Sequence, residues 1–396
     1  MINTKVCLFG INCSGKSTLL KELRKFLPHF NIIEGSDALC KIGNVDKQTL
    51  KTMKEADKNK LRKKFLEYLE SINENVIVSG HYSFLREDGS FEIAAKEDIK
   101  FYDLVLFLDA ELETIKQRMQ DRDGITRDLD TLKQWNDFEL NGLQTECIRH
   151  NIFFSAVDSC ASDIGSFIEC FQSHRARLDP KKIFENFMQT HISQLKQTII
   201  LTDCDGTLDN KDGVKEFYKI ESVSRFKVPN AFQNHRFYGF YQFFRLTEKR
   251  LEIPQDTFSQ AAKFAADSMQ PHKELIELLD KSHASVVAIT AGIRMLWDTV
   301  FKNLGVSFHV VANDRETVIT QDCKTYFARE FTRLGYRVIA LGDGLVDTGM
   351  LEYATYPILI ESKKTNETFT QLSEQTKQKL IICNPNISIK PLQELL

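Results

Sequence analysis

The chain is poor in the residues that interrupt regular structure. Among 396 residues, proline occurs only 8 times and glycine only 18 times. That argues against Pro/Gly-rich low-complexity segments and suits helix-rich domains. An excess of basic charge is also missing. Lys and Arg total 52 against 55 Asp and Glu, a net charge of −3, so nothing advertises a nucleic-acid or membrane surface. No apolar run reaches the ~18–20 residues of a membrane span. The apolar N-terminal stretch Val6–Phe9 is too short for a signal peptide and leads straight into a glycine loop. The nine cysteines are scattered, with no CxxC pair. A disulfide framework or a zinc site is therefore not expected, and a reducing, cytoplasmic compartment is.

What the chain does contain is a 42% hydrophobic content with 29 phenylalanines. At roughly 100–200 residues per domain, its length allows two or three domains with their own cores. Short apolar runs at Val6–Phe9, Asn31–Glu34, Val76–Val78 and Leu104–Leu108 read as strands. Helical spacing follows Gly10, runs from Leu50 to Ile72, and recurs over Glu111–Met119 and Leu132–Ile148. The pattern breaks at Leu178-Asp179-Pro180, and a helical bridge leads to a second series with strands at Thr198–Leu201, Val286–Ile289 and Val338–Leu341. Strands alternating with helices predict an α/β protein with parallel sheets. The expected domains are residues 1–178 and 198–396 joined by a helical linker 179–197, with a helical insert over about 209–283 in the second.

Gly10-Ile11-Asn12-Cys13-Ser14-Gly15-Lys16-Ser17-Thr18 fits GxxxxGK[ST] between a strand and a helix. Glycines let backbone N–H groups turn inward around phosphate oxygens, and the helix dipole adds to the attraction. Lys16 can reach the β/γ-phosphates, and the Ser17 hydroxyl can hold Mg²⁺. Asp37 lies 21 residues beyond Lys16; it reads either as a carboxylate that orients an acceptor hydroxyl or as a turn or helix cap. Arg118, Arg122 and Arg127 follow the Leu104–Leu108 strand, interleaved with Asp121, Asp123 and Asp128. They suit a lid over a transferring phosphoryl group, or a solvated face of Arg–Asp pairs. His81 reads as an acceptor contact or a packing residue, and Asp103 and Asp109 are the candidates for a further Mg²⁺ carboxylate. The charged stretch Asp46–Glu74 reads as a solvated amphipathic helix.

This half resembles the P-loop nucleoside and nucleotide kinases over about residues 1–160, in the compact adenylate-kinase style, and is similar to the kinase half of polynucleotide kinases. The resemblance implies ATP with Mg²⁺, a nucleotide site at Gly10, Asn12–Thr18 and Arg118, and catalytic roles for Lys16, Asp37, Arg122 and Arg127.

In the second half, Ile199–Leu201 leads into Thr202-Asp203-Cys204-Asp205-Gly206-Thr207-Leu208, a DxDGTL sequence. Two carboxylates two residues apart at a strand end point to one side and repel unless a cation or proton lies between them. A strand reaching Thr290, Lys324, and Gly342-Asp343-Gly344-Leu345-Val346-Asp347 followed by Met350-Leu351 come next in order. Lys302 is the rival lysine. These motifs resemble those of the haloacid dehalogenase (HAD) superfamily, with a helical cap like that of phosphoserine phosphatases. The resemblance makes Asp203 the nucleophile that becomes an aspartyl-phosphate and Asp205 the acid and base. It assigns Mg²⁺ to Asp203, Asp205 and Asp343, with Asp347 orienting the metal shell or the lysine, and phosphoryl contacts to Thr290 and Lys324. Tyr238, Tyr241, Phe243, Phe244 and Arg245 either line the cap or form its core.

The expected activity is a kinase joined to an Mg²⁺-dependent phosphatase. The expected substrates are a nucleotide and a small phosphorylated compound, with no membrane partner. Two alternatives stand beside it: 5′-kinase and 3′-phosphatase action on nucleic-acid ends, and a nucleotide-binding switch that regulates the phosphatase. The small-molecule reading is preferred because the chain has no basic excess and carries a cap.

Overall fold

The structure is a computed structural model that describes residues 3–86, 88–94, 98–228, 232 and 239–396. The chain divides into two compact units, Met1–Ser173 and His174–Leu396. Both are α/β with parallel sheets, the class the alternating pattern predicts. No helix among the described residues is long and apolar enough to cross a membrane.

The first unit runs β1 (Lys5–Phe9), α1 (Lys16–Phe26), β2 (Phe30–Glu34), α2 (Gly35–Gly43), α3 (Lys47–Thr52), α4 (Glu55–Ser71) and β3 (Asn75–Ser79). It continues with the hairpin β4 (Ser83–Leu85) and β5 (Phe91–Ile93), then β6 (Leu104–Leu108), α5 (Leu112–Asp123), α6 (Leu129–His150), β7 (Phe153–Val157) and α7 (Ala161–Ser173). The sheet order is β2-β3-β1-β6-β7, every pair parallel. Parallel pairing is why β1, β2, β3 and β6 all end at one edge, where the chain places its glycine loop, Asp37, His81 and Asp109. Strand β6 is buried at all five positions, as a sheet covered on both faces requires.

The expected single helix over 50–72 is two. It breaks between Thr52 and Glu55, and α3 is capped by the Asp46 carboxylate accepting from the Thr49 N–H. The polar face of α4 pairs its own charges, Lys60 with Asp57 and Arg62 with Glu55, so the solvated reading of this stretch holds. Ile11 packs with Ile115, Met119, Leu132 and Trp135; this cluster seats the glycine loop on α5 and α6.

In the second unit α8 (Pro180–His191) precedes β8 (Thr198–Thr202), α9 (Gly213–Phe217), α10 (Glu221–Ser224), α11 (Phe240–Leu251), α12 (Gln255–Ser268) and α13 (Lys273–Lys281). Then come β9 (Ser285–Ile293), α14 (Arg294–Leu304), β10 (His309–Asn313), α15 (Gln321–Arg333), β11 (Arg337–Gly342), α16 (Thr348–Tyr353), β12 (Tyr356–Ile360) and β13 (Ile381–Cys383). The sheet order β10-β9-β8-β11-β12-β13 is parallel throughout. The chain fills one side of β8 with β9 and β10, then crosses to the other with β11. The carboxyl ends of β8 and β11 therefore flank a topological switch point, the usual site of a ligand crevice.

The segment 179–197, expected as a linker, belongs to this unit. Ile183, Phe184 and Phe187 of α8 are buried in the core with Phe327 and Phe331, and Phe184 meets each of those rings edge-on at 5.1 Å. Six strands lie outside the sequence expectations: β7, β10, β12 and β13, and both strands of the hairpin, β4 and β5.

Candidate functional site

In the first unit β1 delivers the chain into the loop 10–15, and α1 starts at Lys16. Gly15, the cap residue, has φ +107°, and a side chain there would lie 3.0 Å from the Arg118 guanidinium. Cys13 also takes a left-handed conformation, φ 63°, the kind of local strain found where a loop is shaped for a ligand. Lys16 is buried, and its ammonium donates to the carbonyls of Gly10 and Ile11, the latter at 3.0 Å, and to His81 Nδ1 at 3.4 Å. Burial and the Lys16 charge together hold His81 well below the usual imidazole range, so it is a neutral acceptor. Gly10, Asn12 and Ser14 shape the turn, while Ser17 and Thr18 are exposed at the start of α1.

Arg118 donates to the carbonyls of Cys13 and Ser14, at 3.3 and 3.1 Å, so α5 clamps the loop directly. Arg122 pairs with its neighbour Asp123 at 2.6 Å, while Cys13 Sγ lies 3.9 Å from the same carboxylate. Arg127 lies in the coil after α5 and has no ion pair among the described residues. Asp37 sits on the first turn of α2 at the carboxyl edge, and its carboxylate, 48% exposed, pairs with Lys47 at 2.6 Å. Asp109 accepts from the Asn136 side chain at 2.9 Å. Asp103 is at the opposite edge, accepting from the Lys5 N–H at 2.9 Å. It precedes β6, so a parallel sheet puts it away from the loop and removes it as a metal candidate.

Glu139 of α6 was missed. It is fully buried, accepting from the Tyr82 N–H and the Ser83 hydroxyl at 3.2 Å each. Burial pushes its carboxyl up, and the charge of Lys16 opposes that. Burial in turn lowers Lys16, opposed by Glu139. The signal was present: Glu139 occupies the buried stripe of α6 with Trp135 and Leu143, where an acid has no place without a partner.

In the second unit the switch point gathers the acids. Asp203 follows β8 and donates its N–H to the Leu341 carbonyl at 2.9 Å, fastening the loop after β8 to β11. Asp203, Asp343 and Asp347 are buried with carboxylate oxygens within 4.8 Å of one another. Lys324, on the first turn of α15 and 1% exposed, reaches Asp203 Oδ1 at 2.8 Å and Asp347 Oδ1 at 2.7 Å. Burial alone would lower the Lys324 pKa, but the two carboxylates win and raise it above the usual range. Asp347 Oδ2 accepts from the Asp343 and Gly344 N–H groups, at 3.1 Å each. Asp347 thus aims Lys324 and shapes the turn carrying Asp343. Burial and the Asp347 and Asp203 charges push Asp343 up to about 7.

Asp205 Oδ1 accepts from the Gly213 N–H at 2.6 Å. Burial first, then the charges of Asp212 and Asp203, raise its pKa to about 8, the direction that favours the protonated acid. Gly206, φ +82°, has no room for a side chain, since a Cβ would lie 2.7 Å from Asp343 Oδ2. A Cβ on Gly292 would likewise meet Asp205 Oδ2 at 2.6 Å and Thr290 Oγ1 at 3.2 Å, which places Thr290 beside Asp205. Strand β9 extends three residues past Thr290, so this hydroxyl is not the last strand residue as expected; it accepts from the Gly292 N–H at 3.0 Å. Lys302, the rival lysine, is exposed on α14.

Three buried carboxylates against one ammonium leave uncompensated negative charge. The donors are hard oxygens, so the set fits a small dication such as Mg²⁺. Tyr241, Phe243 and Phe244 are buried on α11, and Arg245 stacks over Tyr241 at 5.3 Å. Tyr238 lies outside the described residues. Lys215 and Lys364 were also missed. Both are exposed, and each acts electrostatically on the acids, Lys215 with Asp205 and Asp343 and Lys364 with Asp343.

Residues 9–136 match a family model described as an AAA domain, a span that takes in the glycine loop, α1, Arg118 and Arg122. No curated protein sequence matches the chain. Among solved structures, a HAD family hydrolase from Salmonella enterica serovar Typhi is 14% identical, covering 55% of this chain and 78% of its own, at a TM-score of 0.33. A shikimate kinase from Aquifex aeolicus is 20% identical over 44% of this chain and 98% of its own, at 0.32. A cytosolic 5′-nucleotidase IIIB bound to cytidine is 13% identical over 55% of this chain and 90% of its own, at 0.34. Scores this low leave the chemistry to be argued from the chain's own residues.

Proposed function

We propose that the chain is a two-site phosphoryl-transfer enzyme, an ATP-dependent kinase of a small nucleotide-like or phosphorylated metabolite in its first unit and a phosphomonoesterase in its second. The observation that carries the reading is the buried Asp203–Lys324–Asp347 constellation beside Asp343 at a sheet switch point.

In the second unit, Lys324 occupies Asp203 Oδ1, which leaves Oδ2 to attack phosphorus. The P–O ester bond breaks, and the leaving oxygen takes the Asp205 proton. Asp205, now a carboxylate, removes a proton from water; the hydroxide attacks phosphorus, the P–Oδ2 bond breaks and phosphate leaves. Thr290 and Lys324 hold the phosphoryl oxygens. Asp203, the Asp205 carbonyl and Asp343 would hold Mg²⁺, and when bound the ion neutralises charge on the phosphoryl oxygens.

In the first unit, the inward N–H groups of residues 10–15 and the Lys16 ammonium receive the ATP phosphates, and Ser17 would hold their Mg²⁺. Arg122 and Arg127 close over the γ-phosphoryl. Asp37 orients the acceptor hydroxyl once released from Lys47.

The deciding experiment assays labelled ATP against nucleosides, mononucleotides and 5′-hydroxyl oligonucleotides, alongside aryl phosphate hydrolysis. Transfer to mononucleotides or other small acceptors is expected. Transfer to oligonucleotides alone would move the reading to nucleic-acid end repair. ATP binding without transfer would leave the first unit a regulatory switch. Asp203→Asn should abolish aryl phosphate turnover with ATP affinity intact; retained turnover would remove Asp203 as nucleophile.

A further inference from the structure

The second unit holds a cavity of about 460 Å³ that the phosphatase chemistry does not use. It lies between the end of α11, the start of α12, the end of β9 and one face of α14, and it falls in the size range of small-molecule pockets. Its walls are largely apolar, with Ile253, Phe258, Ile293 and Met295 among them.

Into this apolar lining comes Arg250, in the last turn of α11 and 5% exposed. Its Nε and Nη1 are buried with no hydrogen-bond partner, and its guanidinium makes no ion pair among the described residues. A guanidinium cannot shed its charge when buried as a lysine can, so this arrangement is costly until an acceptor arrives. The acids on the cavity wall do not fill that need. Asp314 is committed to Arg294, which also donates to the Val310 carbonyl at 2.8 Å, and Asp298 and Glu316 are exposed. Lys302 and Arg315, on the same wall, add two further cations with no ion pair among the described residues.

We propose that this cavity is a binding pocket for a small organic oxyanion, a carboxylate or phosphate on an apolar body, and that Arg250 holds the acidic group. The planar fork of Arg250 suits two-point contact with such an oxyanion, and Ile253, Phe258 and Met295 cover the body. The pocket shares a segment with the catalytic edge. Ile293 and Asn313 line it, and the Asn313 side chain donates to the Ala291 carbonyl at 2.7 Å, next to Thr290 and Gly292. The acid therefore comes from one of two sources, a second acidic group on the phosphatase substrate or a separate effector bound beside the catalytic strand. Only the substrate source rests on the phosphatase reading.

The test has two arms, each run on the full chain, on Arg250→Met and on Thr299→Trp. The tryptophan fills the cavity from α14 and leaves Arg250 itself unsubstituted. The first arm compares kcat/KM for 3-carboxyphenyl phosphate and phenyl phosphate. If the substrate supplies the acid, the wild type prefers the carboxylated ester, and both variants lower that preference roughly ten- to hundredfold, the range for a hydrogen bond to a charged group. The second arm titrates benzoate and follows heat release. If a separate effector supplies the acid, benzoate binds the wild type and Asp203→Asn alike, and both cavity variants lose it while the kinetic preference stays flat.

The proposal is overturned if benzoate does not bind the wild type and the preference is the same in all three proteins. Should Arg250→Met not fold, Thr299→Trp decides the kinetic arm. Should the wild type hydrolyse neither ester, the phosphatase reading fails and the benzoate titration alone decides the pocket.

Discussion

Replacing Lys324 by methionine tests the core of the second site, because a single buried ammonium serves two buried carboxylates. Its contacts are 2.8 Å to Asp203 and 2.7 Å to Asp347, with all three side chains at most 7% exposed. At an effective dielectric of about 20, each contact represents about 6 kcal/mol of attraction, offset in the intact protein by the desolvation of three charges. Methionine keeps the length and removes the charge, so the desolvated carboxylates remain without their partner. Breaking a buried pair in this way costs roughly 3–5 kcal/mol. For a unit of this size that lowers the melting temperature by on the order of 10 °C.

The deficit carries a pH signature. Burial raises the Asp203 carboxyl and the Lys324 charge opposes that, so without Lys324 its folded-state pKa lies further above the unfolded one. A carboxyl shifted upward supports the fold below its unfolded pKa and loses that support as pH rises through its folded pKa. The gap to wild type should therefore be widest near pH 8 and narrow toward pH 4, as read by calorimetry without divalent ions. Millimolar Mg²⁺ should recover part of the loss, since a dication is the other counter-charge the acids accept. Equal melting temperatures at pH 8, or a deficit that does not shrink with acid, would refute the claim that Lys324 balances these carboxylates.

Three further outcomes follow from the packing and electrostatics. Phe184→Ala should lower the stability of the second unit by about 3–5 kcal/mol, because its ring fills the angle between Phe327 and Phe331; a free linker helix would tolerate the change, and denaturant unfolding with a probe in each unit distinguishes the two. His309 meets the His191 ring in a tilted contact at 4.5 Å, and burial, then the His191 charge, lowers its pKa. A lowered histidine supports the fold above its unfolded pKa and withdraws that support as pH falls, so His309→Asn should flatten the loss of melting temperature between pH 7 and 5.5, and an unchanged slope would count against this. Glu139→Gln removes the charge that holds Lys16 protonated against burial; the alkaline limb of ATP binding should move to lower pH, and a titration with identical limbs would show that the two groups do not communicate.

The two motif sets were legible because their chemistry is local. Gly10 to Thr18 must be contiguous to wrap a phosphate, and Asp203, Asp205 and Gly206 must be adjacent to turn two carboxylates around one point. The strands preceding them were legible for a related reason, since β1, β8 and β11 are apolar runs that stop at the functional turn. The partners that complete each site were harder to read. Glu139 lies far from Lys16 in sequence and looks like one more acid on a charged helix until α6 turns it inward. Asp37 stands where its spacing placed it, yet Lys47 holds its carboxylate, a contact set by the fold of α2 against α3. The edge strands β7, β10 and β13, and β12 beside the last of them, were missed because their short runs carry little periodicity, and neighbours rather than composition make them strands.

By itself the sequence determined the α/β class, the two motif sets and their order along the chain, because these depend on period, turn residues and contiguous spacing. Tertiary structure decided everything that depends on distant segments meeting. It assigned α8 to the second core, put Asp103 at the wrong edge of its sheet, and brought Lys324 from α15 between Asp203 and Asp347. It also left Arg250 buried without an acceptor at the wall of a cavity. The physical reason is the same in each case. Burial sets the value of a charge, and burial is a property of the packed sheet and helices, which no window of sequence contains.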